Sequence, residues 1–422
     1  MKSSSLNGLK HFYAFSALAF IMRFALCASS ALAQTQAPLR VGALFPLTGT
    51  MSDLGQETFE GAKIALDLVN EAGGIKGTPV EFVLADVPTP AAAKQAAQRL
   101  IAQDKVPVIL GCYGSAQTLA IVDITEENQT VLWVDTAWSS AVFDKPRRWT
   151  FRTSTYAKPI AENAVDFISK RLLQSLTVDR RSAKVIIVHE DGPYGASVAQ
   201  EVSAAAQKAG MNISKSVPYN RLADDLSETV KVIRAENPDI MIAISFPNDA
   251  VALTKQLKKE KYWPKAVMTT STGWALFTLP ADIGADAEGI FVSDAPANIK
   301  PDTLTEQGRN LRDRLTERFR RKTGRAPSPF AMMGFVAAYS LLKDVMTNAK
   351  DPSSALEIRK AAISADVPSG SYPNGWGLKF EDSGQNQREP VVIEQWQDGS
   401  LVTVDPPDAA LGRLRLPAHS AD

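Results

Sequence analysis

The chain reads as an α/β protein made of two doubly wound parallel-sheet units in tandem. Three observations predict this. Short apolar runs alternate with amphipathic stretches, which is the rhythm of βαβ units. The rhythm stops after a fourth strand and restarts at Lys184. The chain is also longer than a single core of ~100–200 residues accommodates, even after about thirty residues of leader are set aside.

The leader comes first. Lys2 and Lys10 give a positive start, Phe12 to Met22 is apolar, and Ala31-Leu32-Ala33 places small residues before Gln34. This is the layout of a secretory signal peptide over residues 1–33 and predicts work outside the cytoplasm. The alternatives are a membrane anchor or a buried helix, but Arg23 interrupts the run before it reaches the ~20 apolar residues a span needs. A lipid anchor through Cys27 is disfavoured by the bulky Leu26 before it.

Leu39–Phe45 is the first strand, followed by a polar loop from Pro46 to Gly55. Phe59, Ala62, Leu66 and Val69 then recur at helical spacing, and Gly73-Gly74 supplies a left-handed stop. Strand Val80–Leu84, helix Ala91–Gln103, strand Val106–Leu110, a tight turn Gly111–Ser115 into a helix from Ala116, and strand Val131–Val134 complete the first unit. The second runs through strand Lys184–Val188, helix Tyr194–Lys208, strand Ile213–Val217 and helix Leu226–Glu236. Strand Ile240–Ser245, helix Asp249–Lys259 and strand Ala266–Met268 follow. Thr303–Thr323, Pro329–Asn348 and Pro352–Ala365 read as helices. Trp376–Phe380, Val391–Trp396 and the Asp398-Gly399 hairpin signal close the chain, with a loosely held tail from Pro406.

Composition excludes several functions. Lys plus Arg equals Asp plus Glu at 46 each, so no global field exists to hold nucleic acid or an anionic membrane. The cluster Arg318, Arg320, Arg321, Lys322, Arg325 reads as a solvated helix end. With Cys27 in the leader, Cys112 is alone and no internal disulfide forms. Beyond the leader the histidines are His189 and His419, too few for a histidine-rich metal site, and no cofactor is expected. There is no Gly-x-Ser-x-Gly elbow, phosphate loop or Cys-x-x-Cys, and Gly111-x-x-Gly114 lacks the third glycine of a dinucleotide fingerprint. A triad would have to use His189, whose simpler reading is a loop histidine at a cleft rim.

What the sequence does carry is hydroxyl and aromatic residues at the C-terminal ends of strands, where open α/β sheets bind ligands. Tyr113-Gly114-Ser115 opens a helix, whose N-terminal N–H groups favour an anion; Ser115 is either a carboxylate anchor or simply an N-cap. Thr136-Ala137-Trp138-Ser139-Ser140, Tyr194, Phe246 and Thr269 to Trp274 end other strands.

The string Asn70-Glu71-Ala72-Gly73-Gly74-Ile75-Lys76-Gly77 resembles the leucine/isoleucine/valine-binding family of ABC-transporter solute receptors, type I periplasmic binding proteins. So do Val41-Gly42-Ala43, Pro46-Leu47-Thr48-Gly49, Gly61 to Ala65, Gly111 to Ser115, Tyr194-Gly195, Gly377 to Gln385 and Val392 to Gly399. The resemblance runs from Leu39 to Val404 and implies two lobes joined by three crossovers, at Arg152–Lys158, Val292–Ala295 and Phe380–Asn386. Lobe 1 is then 39–154 with 295–382, lobe 2 is 155–294 with 383–404, and 405–422 is the tail. It further implies a non-catalytic monomer that takes an amino acid or other small carboxylate between the lobes and delivers it to an ABC permease. Ser115 matches the hydroxyl that holds the ligand carboxylate, with Tyr113 and Gly114 beside it. Ser139 near Ala137 and Trp138 matches a second hydroxyl, Tyr194 and Phe246 match aromatics of lobe 2, and Leu54 stands where an aromatic wall is common. The acid that usually holds the ligand ammonium aligns near Ser271, which is neutral. Either Asp294, Asp249 or Glu190 replaces it, or the ligand has no amine. A ligand sensor of the same fold and a secreted hydrolase are the competing functions.

Overall fold

The computed structural model describes residues 37–416 except 224, 271 and 272. The expected leader, His419 and Ser271 lie outside the described residues.

Five parallel strands form the first sheet: β1 (Leu39–Phe45), β2 (Val80–Asp86), β3 (Val108–Gly111), β4 (Val131–Val134) and β5 (Thr150–Arg152), in the order β2-β1-β3-β4-β5. β3 and β4 are buried on both faces, which is why their sequences are unbroken apolar runs. Between the strands run α1 (Ser52–Glu71), α2 (Pro90–Ala102) and α3 (Ser115–Glu127). Gly73 and Gly74, at φ 97° and 72°, turn the chain after α1. Pro90 opens α2, and the Thr89 hydroxyl accepts from the Ala92 N–H at 3.2 Å.

The second sheet holds β6 (Val185–Glu190), β7 (Ile213–Tyr219), β8 (Ile240–Ile244), β9 (Ala266–Thr270), β10 (Phe291–Asp294), β11 (Val392–Gln397) and β12 (Ser400–Asp405). Its order is β12-β11-β10-β9-β8-β6-β7, parallel from β10 to β7, with β11 antiparallel to both neighbours. The Asp398-Gly399 turn joins β11 to β12 with both residues at positive φ, 52° and 73°. Its helices are α4 (Ala157–Phe167, continued by further helical turns to Ser175), α5 (Pro193–Lys208), α6 (Ser227–Glu236), α7 (Pro247–Lys259) and α8 (Leu279–Ile283). The helices α9 (Glu306–Thr323), α10 (Pro329–Tyr339) and α11 (Ala355–Ile363) return to the first sheet's side.

The chain thus passes between the two lobes after β5, after β10 and before β11. The first and third passages are fastened together. The Arg152 N–H donates to the Gly384 carbonyl at 2.9 Å and the Asn386 N–H to the Arg152 carbonyl at 3.0 Å. The Asn386 side-chain amide donates to the carbonyls of Thr153 and Gly377 at 2.9 and 3.0 Å.

α10 is apolar all round and buried on every side. It lies against α1 at backbone distance. A Cβ on Gly61 would fall 1.8 Å from the Ala331 carbonyl oxygen, and one on Gly334 would fall 1.9 Å from that of Thr58. The Ser328 hydroxyl accepts from the Ala331 N–H at the head of α10 and donates to Glu57 of α1. Arg318 and Lys322 on α9 and Arg325 just past its end pair with Glu71, Glu60 and Glu57 of α1, while Arg320 and Arg321 of the same basic cluster stay exposed.

Several expectations differ from the structure. Thr150–Arg152 and Phe291–Asp294 are strands ending in crossovers, too short to announce themselves by alternation. A helix runs from Ala157 where the sequence predicts only a crossover: Pro159 sits in its first turn, where proline is tolerated. Trp376–Phe380 forms only isolated bridges, Val367 to Leu378 and Phe380 to Asn386. The tail from Pro406 is fastened as far as Arg415. Gln395 Nε2 donates to the Arg415 carbonyl and Gln397 Nε2 to that of Arg413, both at 2.8 Å.

Candidate functional site

In each sheet the strand order reverses at one point, between β1 and β3 in the first and between β6 and β8 in the second. Crevices form outside the strand ends at such points. The loop after β3 carries Tyr113 to Ser115, the loop after β6 leads to Tyr194, and Phe246 follows β8. These residues meet around one narrow cavity of about 20 Å³. That is room for about one water, far below the ~300–1,000 Å³ typical of small-molecule sites.

The first lobe supplies Tyr113, Gly114, Ser115, Thr136 and Trp138, with Phe330 and Met333 from α10 as a floor; Tyr194 and Phe246 close it from the second lobe. The rings touch in sequence. Tyr113 meets Phe330 edge-on at 6.0 Å, Trp138 meets Tyr194 at 6.3 Å, and Tyr194 meets Phe246 at 5.4 Å. The Tyr194 hydroxyl donates to the Thr270 carbonyl at 2.6 Å, which holds its ring upright in the wall.

Ser115 is the first residue of α3, not its N-cap; Gly114 takes that place in extended conformation. The first intrahelical bond begins at the Thr118 N–H, at 3.0 Å to the Gly114 carbonyl, so the N–H groups ahead of it have no partner inside the helix. The Ser115 oxygen accepts from the Ser139 N–H at 3.1 Å. Its own proton is then left to donate. A helix N-terminus with an outward hydroxyl donor suits an anionic oxygen.

Ala137 and Ser139 stand behind this wall. Arg152, buried to 1% exposure, donates through Nη1 to the carbonyls of Ala137 and Ser139 at 2.8 and 2.9 Å and through Nε to Gln385 Oε1 at 2.6 Å. The rings of Phe143 and Tyr156 flank its guanidinium at 4.9 and 4.6 Å. Burial draws its pKa down to about 9. One side chain therefore ties the loop after β4 to the first and third passages between lobes. The Ser139 hydroxyl accepts from the Ala141 N–H at 3.3 Å. Asp135, also on this loop, is fully buried; desolvation raises its carboxyl to about 7, while Oδ1 accepts from the Thr136 N–H at 2.9 Å.

Among the described residues, none of the side chains lining the cavity is acidic. Asp294 is not brought to it: it ends β10, fully buried, and Oδ1 accepts from the Ala295 N–H at 2.5 Å. Glu190 is engaged by the N–H groups of Gly192 and Gly195 at 2.8 and 2.5 Å, and burial raises its pKa. Asp249 accepts from the Tyr219 hydroxyl at 2.5 Å and is raised to about 7 by burial. All three acids that could have replaced the missing partner serve loops and helix ends. Leu54 is core, and His189 places Nδ1 2.8 Å from the Glu190 carbonyl oxygen.

Residues that sequence reasoning missed are Thr136, Phe330, Met333, Arg152 and Arg221. Thr136 belonged to a loop that was singled out; the others carried no signal. Arg221, in the loop after β7, lies 5.2 Å from the Phe246 ring and donates to the Thr50 hydroxyl of the first lobe at 3.4 Å. Outside the cavity, the Ser140 N–H donates to the Ser197 hydroxyl at 2.9 Å, and the Ser140 hydroxyl donates to Glu201 at 3.0 Å. These bonds also join the lobes.

Residues 38–400 match the model of a periplasmic binding protein family. A Leu/Ile/Val-binding protein homologue of Brucella suis is 30% identical over 92% of this chain and 95% of its own length. Two solved structures share the fold. A branched-chain amino acid transporter substrate-binding protein from Streptococcus pneumoniae, in complex with isoleucine, has a TM-score of 0.74 and 17% identity over 87% of this chain and all of its own. A solute-binding protein of an ABC transporter from Rhodopseudomonas palustris, in complex with benzoate, has a TM-score of 0.74 and 18% identity over 90% of this chain and 99% of its own. Fold, switch-point loops and sequence agree: the chain belongs to the leucine/isoleucine/valine-binding family of type I periplasmic binding proteins.

Proposed function

We propose that this chain is the extracytoplasmic substrate-binding protein of an ABC uptake system, that it catalyses no reaction, and that it takes a small carboxylate without an amine. The observation that carries the ligand class is the cavity wall. It offers a serine hydroxyl and a helix N-terminus to an anion, aromatic faces to a planar body, and no carboxylate to an ammonium among the described residues. An ammonium buried there would stay unpaired at a cost of several kcal/mol. The lobes, 39–154 with 295–382 and 155–294 with 383–404, close on the ligand about the three passages. The closed receptor, a monomer freed of its signal peptide in the periplasm, then docks on its permease.

An amino acid is the second reading. The names of the relatives favour it, as do Asp53 and Asp282, which line a nearby space of about 160 Å³ together with Asn248 and Gly273.

Native mass spectrometry of the purified chain identifies a retained ligand. Thermal-shift screening then compares leucine, isoleucine, valine and phenylalanine with benzoate, 4-hydroxybenzoate and short aliphatic acids. Binding confined to the amine-free acids supports the proposal; micromolar binding of the branched amino acids alone refutes it.

A further inference from the structure

Three buried tryptophan indoles of this fold are paired with backbone carbonyls. Trp133 Nε1 donates to the Ala337 carbonyl at 2.9 Å, Trp376 Nε1 to that of Pro390 at 3.0 Å, and Trp396 Nε1 to that of Trp274 at 2.8 Å. Trp138 differs from these three. It lines the cavity at 3% exposure, and its Nε1 is buried without an acceptor among the described residues. Trp274 shares the lack, but it adjoins residues outside the described ones and does not line the cavity.

The orphaned donor is not a loose side chain awaiting rearrangement. The backbone that carries it is fastened on every side. The carbonyls of Ala137 and Ser139 are held by Arg152, the Trp138 carbonyl by the Ala157 N–H at 2.9 Å, and the Ser139 N–H by Ser115. The indole itself packs against Tyr194 of the opposite lobe. A desolvated donor without an acceptor, on a residue that lines the cavity, is costly until something supplies one. Ser115 and the N-terminus of α3 already offer what one carboxylate needs.

We propose that Trp138 is a specificity-determining residue whose indole N–H selects ligands carrying, besides the anchoring carboxylate, a second hydrogen-bond acceptor such as a ring hydroxyl, ether or carbonyl oxygen. The inference rests on the small-carboxylate reading above and narrows it. A site built to satisfy a polar group discriminates strongly against analogues that leave that group unpaired.

The test is calorimetric titration of the full chain, as wild type, Trp138→Phe and Ser115→Ala, with four probes. Benzoate and cyclohexanecarboxylate lack a further acceptor; 4-hydroxybenzoate and 4-acetamidobenzoate carry one. Wild type should prefer the better acceptor-bearing probe by about ten- to a hundred-fold. Trp138→Phe, which keeps an aromatic ring and removes the donor, should abolish that preference. Ser115→Ala should weaken all probes that bind. In ¹⁵N-tryptophan-labelled protein, the indole resonance that is absent from Trp138→Phe should move downfield when the tightest probe saturates the site. A uniform loss across probes in Trp138→Phe, or an indole resonance that does not move, overturns the inference and leaves the carboxylate reading intact. Absence of binding by all four probes overturns both.

Discussion

Replacing Ser115 by alanine separates two duties of one hydroxyl. The oxygen accepts from the Ser139 N–H at 3.1 Å, and the proton is free to bond a ligand oxygen. A hydrogen bond to a charged acceptor contributes roughly 1.5–3 kcal/mol, so affinity should fall on the order of ten- to a hundred-fold. It should not vanish, because the backbone N–H groups of α3 remain. The Ser139 N–H loses its partner in free and bound protein alike, so that loss shows in stability instead. Orphaning a buried donor costs about 1–3 kcal/mol. At ~2.1 cal/mol/K per residue, a fold of this length has an unfolding entropy near 0.8 kcal/mol/K, which gives a fall in Tm of about 1–4 °C. Calorimetric titration reads the first effect and differential scanning calorimetry of the unliganded protein the second. A lower Tm with unchanged affinity for every bound probe would show that the hydroxyl only braces the loop, and the carboxylate assignment would fall.

Two further outcomes follow from buried charge. Asp135 holds its proton up to about pH 7 in the fold against 3.8 in an open chain, so its stabilising contribution is complete below about pH 4 and is lost as pH rises to 7. The stability of Asp135→Asn relative to wild type should therefore climb between pH 4 and 7, by on the order of 4 kcal/mol, and level off above; a pH-independent difference in urea unfolding would contradict this. Arg152→Met strands acceptors on Ala137, Ser139 and Gln385 and should cost at least about 3 kcal/mol by urea midpoint, with Arg152→Lys recovering less than half because one ammonium cannot span both loops; equal stability of Lys and Arg at this position would refute the bridging role.

The sequence was most legible where one physical signal acted alone. Val131–Val134 is a continuous apolar run because it is buried on both faces, and its bounds were read correctly. Asp398-Gly399 marks a hairpin because both positions need positive φ. Legibility failed where context decides. β5 and β10 are short and are strands only because neighbouring strands accept them. α10 is apolar on every face, so nothing in its periodicity marks Phe330 and Met333 as the side that meets a cavity. Arg152 stands in the sequence only as the start of a crossover, and nothing there shows that acceptors from distant segments converge on it. The residues Tyr113, Ser115, Trp138, Tyr194 and Phe246 could be named from their places after strands, because the α/β rule fixes where ligands go. Asp294 was named by chemical need alone, and its carboxylate is turned to its own strand end.

The bonds from Ser140 to Ser197 and Glu201 bridge the lobes without passing through the cavity. They are blind to what the cavity holds. Under the proposed closure, strengthening or weakening them changes how much of the protein is joined at rest, and apparent affinity scales with that fraction for every ligand in equal measure. Recognition is written elsewhere, on the groups that face the cavity. The molecule therefore has two independent dials, one for the concentration at which it responds and one for the compound to which it responds. Substitutions at Ser197 or Glu201 can then shift the ligand concentration at which the chain responds while its chemical preference stays where it was.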